Sequence, residues 1–155
     1  MCARSLEEII SKRIGQGKAI VLIGPRQVGK TTLFQKILSQ RKHLFLDADD
    51  PVVRQLLDAP STEQLKRIIG DHTLIFIDEA QHIPSIGLSI KLITDQFKQV
   101  QLLVSDSSSF ELGQSVSEPL TGRKWQYELF PISWQEIEST LGYVKAAQQL
   151  EDLIL

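Results

Sequence analysis

The sequence predicts an α/β fold, a mostly parallel five-stranded sheet with helices on both faces. Three observations carry this expectation. Short apolar runs recur along the chain, as in strands buried on both faces. Stretches with helical apolar spacing alternate with them. A glycine-rich turn joins the first clear strand directly to a helix.

The elements follow in order. Leu6, Ile9 and Ile10 recur at helical spacing, so Ser5 to Ile14 reads as an amphipathic helix. Ser5 with Glu8 suggests a capping box at its start, and Gly15-Gln16-Gly17 ends it. Ala19 to Ile23 is the first buried strand, and Gly24 to Gly29 is the turn after it. Lys30 to Arg41 carries Leu33, Phe34, Ile37 and Leu38 on one helical face. His43 to Leu46 is a second strand. Pro51 suits the first turn of a helix to Leu57. Ser61 or Thr62, with Gln64 or Glu63, caps another helix through Ile69. Thr73 to Ile77 is the third strand and ends at Asp78-Glu79. Ile86 to Phe97 is helical. Gln101 to Val104 is the fourth strand, followed by the polar stretch Ser105 to Ser109. Trp125 to Phe130 is the fifth. A helix after Pro131 and a last one over Val144 to Leu155 complete the reading.

Composition narrows the class. The 155 residues suit one domain. With 42% hydrophobic and 23% charged residues, whole-chain disorder is excluded. Seventeen Lys and Arg against nineteen Asp and Glu give a net charge of −2, so no basic excess advertises nucleic acid. The one cysteine, Cys2, excludes an internal disulfide and a cysteine-only zinc site. No apolar run approaches the ~20 residues that span a bilayer. The start lacks an apolar signal core and carries Glu7 and Glu8 early. A cytoplasmic protein without membrane partners is expected. His43, His72 and His82 stand apart, without metal-ligand spacing. Asp47, Asp49 and Asp50 read as turn and capping residues, and Trp125, Tyr127, Phe130 and Trp134 as packing aromatics.

Gly24-Pro25-Arg26-Gln27-Val28-Gly29-Lys30-Thr31 matches G-x-x-x-x-G-K-[ST] at every fixed position. The flanking strand and helix are the context that makes it a phosphate loop. Gly24 and Gly29 let the backbone close around a phosphate without a Cβ in the way. Amides of the loop and of the helix start point at anionic oxygens. Lys30 supplies a mobile charge to the β- and γ-phosphates, and the Thr31 hydroxyl is a hard ligand for Mg²⁺. Thr32 supports the helix start. Arg26 reads either as a solvated loop residue or as a group near the phosphates.

An apolar third strand delivers Asp78 to the C-terminal edge of the sheet, where open α/β sheets bind ligands. There Asp78 would hold Mg²⁺ opposite Thr31. Glu79 would orient and polarise an attacking water as general base. This pattern points to the P-loop NTPases with an additional strand and a catalytic glutamate. GTPases carry an Asn-Lys-x-Asp base reader that this sequence lacks. At the end of the fourth strand, Ser105 and Ser107 are the candidates for contacting the γ-phosphate or the water. Arg123, after Gly122, reads equally as an arginine finger, in cis or in trans, and as a surface turn residue.

Five segments together resemble a known group: Gly-Pro-Arg-Gln-Val-Gly-Lys-Thr-Thr, Ile-Asp-Glu-Ala-Gln, Ser-Ser-Ser-Phe-Glu-Leu, Leu-Thr-Gly-Arg and Glu-Leu-Phe-Pro-Ile-Ser-Trp-Gln-Glu-Ile. The ordered set is similar to the prokaryotic AAA-type ATPases whose core usually precedes a C-terminal domain of unknown function. The resemblance runs from about Ser5 to Leu141. It implies binding and hydrolysis of ATP, with Lys30, Thr31, Asp78 and Glu79 carried over. The family usually reads Thr-Gly-Ser-Ser where this chain has Ser105-Asp106-Ser107-Ser108, so Asp106 brings a negative charge near the γ-phosphate position. On this reading residues 1–155 are one core domain: 1–17 the first helix and turn, 18–141 the core, and 142–155 a segment leading toward a missing domain. The apolar stop at Leu153-Ile154-Leu155 suggests that cut. A neighbouring copy is the other expected partner. Two other readings compete with the ATPase: a nucleotide-gated binding module with little turnover, favoured by Asp106, and a P-loop kinase.

Overall fold

In a computed structural model, residues 3–26, 28–107 and 122–129 are described. The elements are α1 (Ala3–Arg13), β1 (Ala19–Ile23), α2 (Lys30–Leu38), β2 (Leu44–Asp47), α3 (Pro51–Leu57), α4 (Thr62–Ile69), β3 (Leu74–Asp78), a 3₁₀ turn (Ala80–His82), α5 (Ile86–Gln96), β4 (Gln101–Asp106) and β5 (Lys124–Glu128). The helices expected after Pro131 and over Val144 to Leu155 lie outside the described residues.

The strands form one five-stranded sheet in the order β2-β3-β4-β1-β5, and every pairing is parallel. The strand β4 therefore lies between β1 and β3. That order separates the phosphate loop from the Asp78-Glu79 strand by one strand, whose end faces both.

The pleat assigns alternate residues to two cores. Ile20, Leu22, Leu74, Phe76 and Leu103 join Leu6 and Ile10 of α1 and Leu33, Phe34, Ile37 and Leu38 of α2. Phe34 meets Phe76 edge-on, with ring centroids 5.1 Å apart. Val21, Ile75, Ile77, Leu102 and Val104 face the other way, onto Leu57, Leu65, Ile69, Ile86, Ile90 and Ile93 of α3, α4 and α5. Both faces of β3 and β4 are covered, which is why these strands read as unbroken apolar runs. The edge strand β2 is only half covered, and Phe45 remains 43% exposed.

Local signals place several boundaries. Asp50 accepts from the Val52 amide, with Pro51 in the first turn of α3. Of the capping alternatives before α4, the structure selects Ser61 with Gln64, which form a reciprocal capping box. The box expected at Ser5 does not start its helix, since α1 already begins at Ala3 and Ser5 lies inside it. The helix α2 stops at Leu38 rather than Arg41, because Ser39-Gln40-Arg41-Lys42 has no apolar side chain to bury. The Ser39 hydroxyl and amide both turn back to the Lys36 carbonyl.

The largest difference is at β4. The polar run after Val104 continues as strand through Asp106, with Ser105 and Asp106 in register with Leu22 and Ile23. Both are buried. Apolar patterning ends a strand where polar residues begin, but here neighbouring strand ends supply polar partners.

Candidate functional site

The glycine-rich turn after β1, the turn after β3 and the end of β4 meet at the C-terminal edge of the sheet. Gly24 is held between two strand ends: its amide donates to the Asp106 carbonyl at 3.1 Å, while the Leu129 amide donates to the Ile23 carbonyl at 2.8 Å. A Cβ on Gly24 would stand 2.2 Å from the Leu129 carbonyl oxygen. Glycine is required here by the close approach of the chain beyond β5, a reason different from the phosphate clearance expected of it. Gly29 has φ 95° at the N-cap of α2, a left-handed conformation that suits glycine. No side chain caps the helix start, so its first amides are left to face the loop.

Lys30 is 4% exposed, and its ammonium donates to the Gly24 carbonyl at 2.8 Å and the Pro25 carbonyl at 2.7 Å. Burial pulls its pKa below the usual lysine value, against the opposing pull of Glu79, Asp106 and Asp78. Across the edge, the Thr31 hydroxyl donates to the Asp78 carboxylate at 2.9 Å. Ser105 Oγ donates to the same carboxylate at 2.5 Å and accepts from the Glu79 amide at 2.9 Å. Thus α2, β3 and β4 are tied together through Asp78.

The two adjacent acids behave oppositely. Burial raises the Asp78 pKa above the ordinary carboxylate value, although bonds from Ser105 and Thr31 oppose it. Burial also acts to raise that of Glu79, but hydrogen bonds from Gln81 and Ser107 and the charges of Lys30 and Arg26 outweigh it, leaving the pKa lowered. Glu79 also has φ 57°, in the left-handed region. For a non-glycine residue this conformation costs on the order of 1 kcal/mol or more. It turns the chain sharply from β3 into the 3₁₀ turn.

Among the expected site residues, Lys30, Thr31, Asp78, Glu79, Ser105 and Ser107 are brought together. Ser107 Oγ donates to Glu79 Oε1 at 2.9 Å. Arg26 is exposed, with Nη2 3.4 Å from His82 Nε2, and the same imidazole nitrogen is 3.0 Å from Asp49 Oδ1. The Arg26 charge helps lower the Glu79 pKa, so this arginine lies near the site. Gln27 lies outside the described residues.

Arg123 is not brought to the loop of its own chain. It precedes β5, which runs parallel to β1, so it lies at the opposite edge of the sheet, where its carbonyl accepts from the Ala19 amide. Its guanidinium is paired with Asp95 at the end of α5, at 2.8 Å. The expectation of an arginine finger in cis is corrected on this ground. One site residue had no role assigned from the sequence: Gln81, whose amide bridges Glu79 and the Ser107 amide. The only signal for it was its place in Asp78-Glu79-Ala80-Gln81.

Fold and site together define an AAA-type P-loop ATPase core. The AAA domain family profile matches residues 16–138, and the chain belongs to that family. It is 30% identical over 132 residues to an uncharacterised protein of Mycobacterium tuberculosis and to one of Mycobacterium bovis. The match takes in 84% of this chain but 29% of those relatives' length. Among solved structures, it is similar to the Aeropyrum pernix ORC1 protein in complex with DNA, with TM-score 0.64 at 14% identity, covering 94% of this chain and 49% of that one. It is also similar to a Walker-type ATPase of Pyrococcus abyssi, with TM-score 0.58 at 16% identity, covering 88% and 55%. At such identities the likeness is one of fold. Among the described residues no helix is long and apolar enough to cross a membrane.

Proposed function

We propose that this chain binds ATP with Mg²⁺ and hydrolyses it. The observation that carries the reading is the meeting of Thr31, Asp78 and Glu79 at one sheet edge, with Thr31 Oγ1 2.9 Å from the Asp78 carboxylate and Lys30, at the start of α2, bonded back to the Gly24 carbonyl. A hard hydroxyl beside a carboxylate is a donor set that suits Mg²⁺, which takes few protein ligands and relies on nucleotide phosphates and water for the rest. When bound, Mg²⁺ would neutralise charge on the phosphates.

The chain's own residues then have separate tasks. The first amides of α2, with those of Val28 and Gly29 just before it, would face the phosphates. Lys30 exchanges its two carbonyl partners for phosphate oxygens and stabilises charge on the transferring group. Glu79, held ionised by its hydrogen bonds and nearby cations, accepts the proton of the attacking water. Asp78 and Thr31 hold the cation side of the site. Pro25, Arg26, Gln27 and Val28 complete the loop, Thr32 supports the start of α2, and Arg123 has no part in this proposal.

Calorimetric titration with ATP and Mg²⁺ tests the binding site. Lys30→Ala is expected to weaken binding at least tenfold, and unchanged affinity would reject the site. Phosphate release tests the chemistry. Glu79→Gln is expected to bind ATP and turn over at least 100-fold more slowly, the range for loss of a general base. A second reading, a nucleotide-gated module with little turnover, is favoured by Asp106, whose buried charge acts on Lys30. Equal inactivity of the wild type and Glu79→Gln, with ATP bound by both, would select it.

A further inference from the structure

The Glu79 side chain belongs to a closed ring of three hydrogen bonds. Gln81 Nε2 donates to Glu79 Oε2 at 2.5 Å. Ser107 Oγ donates to Glu79 Oε1 at 2.9 Å. The Ser107 amide donates to Gln81 Oε1 at 3.1 Å and closes the ring. Two segments of the chain take part, the turn after β3 and the residue after β4.

From this geometry we propose that Gln81 is a positioning residue, which fixes the Glu79 carboxylate in one orientation and couples it to the end of β4 through Ser107. The inference rests on the hydrolytic reading above and extends it to a residue that touches neither phosphate nor cation there. Its physical grounds are the following. A glutamate side chain has three rotatable bonds and would otherwise sample several rotamers. The ring engages both carboxylate oxygens once and leaves lone pairs on each for a water. A primary amide donates and accepts at its two heads, so it can hold a carboxylate while receiving a backbone amide. Ionised glutamate at 81 has no donor, and asparagine is one methylene shorter. The left-handed turn at Glu79 folds the chain so that residue 81 returns over residue 79. The coupling also reaches the phosphate loop, because the Asp106 carbonyl, one residue before Ser107, accepts from the Gly24 amide. Position matters for such a base: a misplacement of about 1 Å can cost on the order of 100-fold in rate.

The experiment combines steady-state phosphate release with side-chain amide NMR on the full chain. Gln81→Leu is expected to lower kcat by about 10- to 100-fold, with KM for ATP unchanged. Ser107→Ala is expected to lower kcat likewise, Ser107→Thr to recover part of the loss, and the Gln81→Leu/Ser107→Ala pair to be less than additive. In a Glu79→Gln background, Gln81→Leu is expected to add no further loss. In ¹⁵N-labelled protein, the Gln81 side-chain amide resonance is expected to move on Glu79→Ala and on Ser107→Ala. A rise in KM with kcat intact, or a loss that adds in the Glu79→Gln background, would overturn the positioning role. So would a Gln81 resonance unmoved by both substitutions. If the wild type releases phosphate no faster than Glu79→Gln, the hydrolytic reading falls and the positioning role for hydrolysis falls with it. The amide resonance then still decides whether the ring exists, and so shows which of the two inferences failed.

Discussion

The strand β4 buries polar side chains at both ends, in opposite ways. At its start, Gln101 is 5% exposed and spends its amide on fixed backbone. Oε1 accepts from the Gly15 amide at 2.8 Å, and Nε2 donates to the Lys18 and Leu102 carbonyls at 2.8 and 2.9 Å. At its end, Ser105 and Asp106 are buried beside Lys30 and Asp78. There the Ser105 hydroxyl bonds to the Asp78 carboxylate on the neighbouring strand, and Lys30 and Asp78 each have a pKa moved toward the neutral form by burial. Burying a neutral amide costs little once its partners are fixed, whereas burying a carboxylate or an ammonium stays costly. One end of the sheet is therefore built to hold the fold. The other keeps charge out of water where a charged ligand would use it.

Four substitutions sharpen that contrast. The largest effect is expected at the structural end. Gln101→Leu leaves the Gly15 amide and the Lys18 carbonyl without their partner and should cost about 3 kcal/mol, read from urea denaturation. A change within experimental error would show that this end is not what holds the edge. Next comes Gly24→Ala, where the added methyl meets the Leu129 carbonyl oxygen at 2.2 Å. A loss of about 2 kcal/mol is expected from the forced backbone shift, and a stability equal to wild type would remove the close approach as the reason for glycine.

The third effect has the opposite sign. Asp78→Asn keeps an acceptor for Thr31 and Ser105 but removes the buried charge. It should stabilise the protein by about 1 kcal/mol at neutral pH while weakening the Mg²⁺-dependent part of ATP binding. The pH dependence follows from the raised pKa. Folded Asp78 holds its proton above the ordinary 3.8, so the wild type loses stability as pH rises through its folded pKa. Denaturation midpoints of mutant and wild type should therefore coincide in acid and separate toward neutrality. A constant gap would mean that the charge is not the cause. The smallest effect is expected at Arg123. Its pair with Asp95 is partly exposed and lies at the structural edge, so Arg123→Ala should move the thermal midpoint little and leave ATP affinity unchanged. Weakened ATP binding would return this arginine to the site.

Much of this was legible before any coordinates. Every described strand and helix lies within a few residues of its place in the apolar pattern, since two faces of sheet must be covered and only apolar runs can do so. The loop from Gly24 to Thr31 and the Asp78-Glu79 pair were readable because their chemistry dictates both residue type and spacing. The polar end of β4 was not, because a hydropathy pattern cannot see that Ser105 finds its partners, the Asp78 carboxylate and the Glu79 amide, at the end of another strand. The place of Arg123 was implied by the parallel sheet itself. A residue just before a parallel strand begins at the N-terminal edge, away from the loop that leaves β1.

The sequence by itself determined an α/β core, a phosphate loop and an acidic strand end, all of them local patterns in which a few neighbouring residues carry the physical requirement. Only the tertiary structure decided the order β2-β3-β4-β1-β5, the crowding of Gly24 by the carbonyl of Leu129, and the ring that joins Glu79, Gln81 and Ser107. Those features join residues more than 20 positions apart or depend on which strand becomes a neighbour. No window of the sequence contains the partner that each one needs.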